Sequence, residues 1–178
     1  MTNLLLRPLF DDSRKSFWHI ILGVWVSVAV YAVLHDLYIV RIFPEHFTEY
    51  HTNPLHIENP YLLSSLWAFG ASFTPGISMG LALFLAARAG KYPKISPSFI
   101  IRGSIAAVII TEVLSVLSGL SVFITEEPLY PGMLYPEKTV PAMVAQTIQL
   151  TAYLIGAVSC AVLIYIVSYK RKNARSPL

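Results

Sequence analysis

Histidine and carboxylate side chains are concentrated around the end of the first long apolar segment. Tyr31 and His35 are one helical turn apart and therefore share a helix face, with Asp36 adjacent. Glu45 and His51 follow in the polar connection that comes next. Imidazole and carboxylate groups bind divalent metal ions such as zinc, copper or iron, and histidine transfers protons near neutral pH. One interpretation is therefore a metal site of His35, Glu45 and His51.

A second interpretation explains the same residues without a metal ion. The spacing contains no H-E-x-x-H pair and matches no fixed metal motif. Asp36 can pair with Arg41 while the histidines lie at the membrane interface. The single cysteine, Cys160, excludes an internal disulfide and any site built from several cysteines. The cofactor therefore stays open, with a divalent metal as the candidate.

Glu112 is a lone carboxylate inside a long apolar segment. Its separation from Arg102 corresponds to about 15 Å of helical rise, which places it near the middle of a bilayer. A carboxylate at that depth costs about 2.5 to 3.5 kcal/mol on insertion, so we expect it to face the interior of a helix bundle. It is either a protonatable relay or ligand contact, or a protonated acid whose hydrogen bond locks two helices together.

Polar residues on the last apolar segment are predicted to face Glu112. Gln146, Gln149 and Tyr153 recur at steps of three and four residues, which places them on one helix face. Gln149 reaches about the same depth as Glu112, and this predicts a hydrogen bond between the two side chains. On the second segment, the spacing of Gly76 and Gly80 predicts close packing against a neighbouring helix.

Four apolar segments must position these residues. The chain is 55% hydrophobic and 13% charged, far from the usual soluble balance, and its mean hydropathy is +0.60. A bilayer core of roughly 30 Å requires about 20 apolar residues in a helix, and period-two alternation typical of a barrel is missing. We predict an all-α, four-helix transmembrane bundle in a single domain, 1–178, with helices at approximately 17–40, 61–87, 97–124 and 140–168.

Basic residues predict the orientation of this bundle. All but two of the 13 lysines and arginines would lie on one side of the membrane: Arg7, Arg14, Lys15, Arg88, Lys91, Lys94, Arg102, Lys170, Arg171, Lys172 and Arg175. The exceptions, Arg41 and Lys138, lie in the first and third connections, which hold most of the acids. Because lysine and arginine are retained in the cytoplasm, both termini are predicted to be cytoplasmic.

A cleaved signal peptide is the alternative for the first apolar segment. Its basic start and apolar centre precede Val30, Tyr31 and Ala32, which weakly match a processing site. The apolar segment continues through Val40, however, and four helices complete the charge pattern. A first transmembrane helix therefore fits the sequence better.

Residues 35–51 resemble part of a family of small bacterial multi-pass membrane proteins. The family signature is H-D, a spacer, E-Y-F-T and a nearby histidine. Its counterparts in this chain are His35, Asp36, Glu45, Phe47, Thr48 and His51. The likeness continues into residues 86–90 and, less clearly, into residues 149–156.

The resemblance implies a protein of the bacterial inner membrane with a shared site at those positions. It implies no particular reaction, because the family has no known biochemical function. His46 replaces the usual tyrosine of the signature, and Gln149 stands where some members have histidine. If that histidine is a metal ligand in those members, the second departure puts a metal role for this chain in doubt.

Three functions fit these residues. The first is a membrane binding or accessory protein whose His/Asp/Glu cluster, at the extracytoplasmic face, holds a partner subunit, a lipid headgroup or a small ligand. The second is a metal- or proton-dependent membrane enzyme that uses the same cluster, with Glu112 and Tyr31 as acid–base groups. The third is a small transporter whose path passes Glu112, Gln146 and Gln149. Compact size and the lack of a catalytic signature favour the first.

Other partner classes find no support in the sequence. It contains no glycine-rich phosphate loop and no G-x-S-x-G elbow. The basic residues flank the apolar segments and form no separate basic face, which argues against nucleic acid. The expected partners are the lipid bilayer and either another membrane protein or a second copy of the chain.

Overall fold

A computed structural model describes residues 14–90 and 92–174. Arg7, Lys91 and Arg175, which contribute to the charge pattern, lie outside the described residues. We number the helices along the chain, and a 3-10 turn, Gly132–Leu134, precedes the last of them. The helices are α1 (Arg14–Ile42), α2 (Glu45–Thr48), α3 (Pro60–Arg88), α4 (Pro97–Thr125) and α5 (Val140–Asn173).

Four of these helices, α1, α3, α4 and α5, are long and apolar enough to cross a membrane within the described part of the chain. The predicted all-α, multi-pass fold is therefore confirmed. α5 extends five residues beyond its predicted end because Lys170, Arg171 and Lys172 continue the helix. Lysine and arginine are good helix formers, and their charged ends remain solvated past the bilayer.

Large apolar side chains cover the outside of the bundle. Leu34, Ile110 and Leu117 are each more than half exposed, and they lie on helices that could span the membrane. Apolar surface of this extent is stable only when lipid chains cover it. These apolar side chains are therefore covered by lipid chains and not by a large protein core.

Capping side chains precede two of the long helices, and a glycine follows one of them. The Asn59 side chain accepts hydrogen bonds from the backbone N–H groups of Tyr61 and Leu62, and Ser96 caps α4 in the same way. A proline follows each cap at the first helical position, where its missing N–H leaves no bond unmade. Gly90 follows α3 with a φ of +80°, a conformation that glycine adopts without strain.

The long helices pack mainly as two pairs, α1 with α3 and α4 with α5. The glycines of α3 allow the first pair to approach closely. A Cβ atom added to Gly80 would lie 3.0 Å from the Cα of Ile21, and one added to Gly76 would lie 3.1 Å from the Cα of Trp25. Backbone atoms of α1 lie against both glycines, and the Trp25 side chain also contacts Gly76, which confirms the predicted close packing.

Replacement of Gly80 by valine should therefore separate α1 from α3. We expect the free energy of unfolding to fall by about 1 to 3 kcal/mol, as for other overpacked interfaces, measured by denaturation in detergent micelles. Gly70→Val is the matched control, because an added Cβ at Gly70 meets no atom within 4 Å. Equal stability of the two variants would contradict the close helix contact.

Arg171 ties the end of α5 to the connection between α3 and α4. It is 4% exposed, and its guanidinium donates hydrogen bonds to the backbone oxygens of Ala86, Tyr92 and Pro93 at 2.7, 2.9 and 2.9 Å. The sequence assigned this residue only to membrane orientation. The structure adds a packing role, because the guanidinium N–H groups bond to carbonyl groups at the end of α3 and in the connection that follows it.

Two apolar clusters lie at opposite ends of the bundle. The end that carries α2 and the 3-10 turn, called the α2 end below, contains Ile39, Phe47 and Ile148. The opposite basic end contains Ile20 and Leu163. Buried polar residues separate the clusters and include His35, Asp36, Thr111, Ser115 and Gln149. The bundle therefore has a polar centre between two apolar layers.

Candidate functional site

His35 forms the middle of this polar centre. Its side chain is 4% exposed and lies between α1, α4 and α5. Nδ1 is 2.9 Å from Oε2 of Glu112, and Nε2 is 2.9 Å from Oε1 of Gln149. One imidazole therefore joins three helices through both of its nitrogen atoms.

Two tyrosines on α1 flank this imidazole. The Tyr31 and Tyr38 hydroxyls lie 3.4 and 3.1 Å from Nδ1 of His35, one helical turn before and after it. Both hydroxyls also approach the Glu112 carboxyl group. They stabilise this carboxyl group inside the bundle, where water is scarce.

Gln149 determines which nitrogen of His35 carries hydrogen. The Gln149 amide nitrogen donates to the Tyr153 hydroxyl at 3.1 Å, so its oxygen faces His35. An amide oxygen only accepts, and Nε2 of His35 is therefore the donor in that contact. Nδ1 of His35 and the Glu112 carboxyl group, which are 2.9 Å apart, form a second hydrogen bond.

Asp36 also belongs to the polar centre. It is 7% exposed and approaches the Gln149 side chain on the same side of the bundle as His35. Arg41 is exposed, and the described residues contain no ion pair between Asp36 and Arg41. The interfacial ion pair considered from the sequence is therefore replaced by burial of Asp36 beside Gln149.

Glu112 and Gln149 do lie at matching depths, but the predicted hydrogen bond between them is not formed in the described structure. His35 lies between the two side chains and bonds to each. The sequence placed His35 at a membrane face. In the structure His35 lies about 10 Å before the end of α1, because α1 continues to Ile42.

A groove of about 550 Å³ runs along the membrane-facing side of α4 and α5 and reaches this centre. Glu112 and the Tyr38 hydroxyl are its polar groups. The remaining lining residues are apolar and include Val116, Gly119, Leu120, Phe123, Val144 and Ile148. The Glu112 side chain is 30% exposed, so it is accessible from the groove while it remains bonded to His35.

A polar pocket of about 360 Å³ lies on the other side of the centre, toward the α2 end. Gln149 and Tyr153 line its inner part, next to His35. Its other polar lining residues are His46, Tyr50, His51, Tyr135 and Gln146. The Gln146 amide donates to the Leu134 backbone oxygen, which holds the 3-10 turn against α5. His35 and Gln149 thus separate an apolar groove from a polar pocket.

The residues of the predicted outer cluster do not all reach His35. Phe47 is 1% exposed and packs in the apolar cluster at the α2 end. Thr48 is exposed and its hydroxyl donates to the Pro44 oxygen. Glu45 is half-buried at the start of α2, outside the lining of the polar pocket. His51 stacks on the Phe47 ring and contacts Trp67 edge-on.

The predicted metal set of His35, Glu45 and His51 is not assembled. Within residues 14–90 and 92–174, no three side chains of His, Cys, Asp or Glu form a group that could hold a metal ion. His35 faces the bundle interior, whereas Glu45 and His51 lie beyond the end of α1. The last part of α1 lies between His35 and the other two residues.

Tyr38 and His46 belong to the site but were not among the predicted site residues. Tyr38 lies three residues after His35 on the same helix face, so helical spacing could have identified it. His46 is 5% exposed, and burial, together with the imidazoles of His51 and His35, lowers its pKa to about 4. Nothing in the local sequence distinguished its burial from the exposure of Thr48.

The fold and the site together define a multi-pass α-helical membrane protein with a polar centre inside its bundle. Comparison with protein families, curated proteins and solved structures found no match for this chain. The family signature around His35 and Asp36 therefore stays a prediction.

Proposed function

We propose that the protein binds a lipid-soluble molecule in the membrane-facing groove, with a neutral hydrogen-bonding head group against Glu112 and Tyr38. Support comes from one observation above all: Glu112 is a partly exposed carboxyl group at the polar end of a groove whose other walls are largely apolar. Binding sites commonly combine apolar walls with a few well-placed polar groups. The proposal keeps the binding function expected from the sequence and moves its site from the outer cluster to the polar centre.

The chemistry of the head group follows from the hydrogen bonds around Glu112. His35 and the two tyrosines already form hydrogen bonds to this carboxyl group. These bonds offset the negative charge that would attract a cationic ligand. A hydroxyl group can donate to the Glu112 carboxyl group or accept from the Tyr38 hydroxyl, whereas a carbonyl group accepts from the Tyr38 hydroxyl. A long-chain alcohol or a ketone with an apolar tail therefore fits the groove.

Transport is the less supported alternative. His35 and Gln149 are 4% and 9% exposed and fill the space between the groove and the polar pocket. A transport path through Glu112, Gln146 and Gln149 requires this contact to open. Binding in the groove requires no such rearrangement.

We also propose that the protein lies in the bacterial cytoplasmic membrane with both termini in the cytoplasm. The support is the charge pattern of the sequence and the resemblance to small bacterial membrane proteins. In this orientation the polar pocket opens on the extracytoplasmic side and the groove opens to lipid.

Photo-crosslinking tests the proposed binding. The probe is a 16-carbon alcohol that carries a diazirine and an alkyne, added to the full chain in lipid nanodiscs. We expect labelling of groove residues, reduced at least about fivefold by Glu112→Leu, because one or two hydrogen bonds to the head group are lost. Val116→Trp should also reduce labelling, because Val116 lines the groove.

Val113→Trp is the matched control for the blocked groove. Val113 lies on the same helix and is half exposed, but it does not line the groove. Its labelling should equal that of the unchanged protein. Equal labelling of Glu112→Leu, Val116→Trp and the control would overturn the proposal, since the probe would then report general contact with lipid-facing surface.

A further inference from the structure

The polar pocket at the α2 end contains two neighbouring imidazoles. The ring centroids of His46 and His51 lie 4.9 Å apart, with the ring planes inclined at 55°. Both residues line the pocket. Two imidazoles at this separation can share one ion held about 2 Å from a nitrogen of each ring.

The hydrogen bond made by His51 leaves one nitrogen free for a ligand. Its Nδ1 lies 2.6 Å from the backbone oxygen of His46, so Nδ1 carries the hydrogen. Nε2 then holds the lone pair. This backbone contact is the arrangement that orients metal-binding histidines, because it fixes both the tautomer and the plane of the ring.

His46 is buried without a partner for either nitrogen. Its side chain is 5% exposed, and among the described residues neither Nδ1 nor Nε2 forms a hydrogen bond. Buried polar atoms are almost always bonded, so an imidazole without a protein partner on a pocket wall is available to a ligand.

We propose that His46 and His51 bind a divalent transition-metal ion on the wall of the polar pocket. The chemistry favours copper, nickel or zinc, because the ligands are imidazoles and no carboxylate lines the pocket. Magnesium and calcium require oxygen ligands and do not fit. The pocket volume of about 360 Å³ leaves room for the water molecules that complete the coordination.

This site differs from the metal set considered from the sequence. It retains His51 and replaces His35 and Glu45 by His46, one of the two positions at which this chain differs from the family that it resembles. It lies on the opposite side of Gln149 from the groove. Metal binding and ligand binding in the groove can therefore be tested independently.

Metal titration of the full chain tests the proposal. The protein is purified in detergent with a tag that contains no histidine, stripped with a chelator, and titrated with Cu²⁺ and Zn²⁺ near pH 7. We expect one ion per chain, with nitrogen superhyperfine lines from two imidazoles in the Cu²⁺ electron paramagnetic resonance spectrum. His46→Phe and His51→Gln should each raise the dissociation constant at least about tenfold and reduce the number of coupled nitrogens.

His56→Asn is the control, because His56 is an exposed histidine in the same connection and asparagine tolerates its φ of 49°. Its titration should match that of the unchanged protein. The proposal is wrong if the unchanged protein binds no ion stoichiometrically. It is equally wrong if His46→Phe and His51→Gln, verified as folded by their thermal unfolding, bind the ion as well as His56→Asn does.

Discussion

Replacement of His35 by leucine should lower the free energy of unfolding by about 3 kcal/mol or more. The change removes the partner of Glu112 and of Gln149 at the same time, inside the helix bundle. Loss of one member of a buried pair typically costs about 3 to 5 kcal/mol, because the remaining group stays buried without compensation. The contacts of Tyr31 and Tyr38 with Glu112 should keep the loss near the lower value.

Titration with sodium dodecyl sulfate in mixed micelles measures this loss, with His19→Leu as the control. His19 is an exposed histidine on the same helix, so its replacement should change stability little. Addition of Glu112→Leu to His35→Leu should cost less than the sum of the single changes, since removal of both partners leaves no buried acid. Strictly additive losses would show that His35 and Glu112 are not energetically coupled.

Arg171→Ala is expected to have the next largest effect, about 2 to 4 kcal/mol. The variant loses three hydrogen bonds from a charged donor and leaves the backbone oxygens of Ala86, Tyr92 and Pro93 without their partner. Single hydrogen bonds to charged groups contribute about 1.5 to 3 kcal/mol, and bonds from one side chain are not additive. The connection between α3 and α4 should therefore loosen from α5.

Lys172→Ala is the matched control for Arg171→Ala. It removes the same formal charge one residue away, from an exposed side chain. Thermal unfolding in detergent compares the two variants, and hydrogen exchange at residues 86–95 reports on the connection directly. Equal effects of the two substitutions would mean that Arg171 acts through its charge and not through its hydrogen bonds.

Much of the fold could be predicted because a helix that crosses a lipid bilayer must be apolar and of sufficient length. The four apolar segments, the caps at Asn59 and Ser96, and the stop at Gly90 all follow from local backbone requirements. The close contact at Gly76 and Gly80 was also predictable, since glycine spacing marks one helix face. These features depend on residues close together in the chain.

The candidate site could be predicted only in part. Depth counting placed Glu112 and Gln149 at one level and identified both as buried polar residues. It could not show that His35 reaches the same level, because the end of α1 depends on where the chain turns into α2. For the same reason, the sequence grouped His35 with Glu45 and His51, which the structure separates by the remaining length of α1.

The membrane environment, the number of long helices and the residues that must avoid lipid all follow from the sequence alone. These properties follow from the length and polarity of contiguous segments, which lipid constrains one helix at a time. The polar contacts within the bundle depend on tertiary structure: those of His35 with Glu112 and Gln149, and those of Arg171 with backbone oxygens. The burial of His46 depends on it as well. Such contacts depend on the rotation and pairing of helices that are distant in the chain, and side-chain packing across the whole bundle sets both.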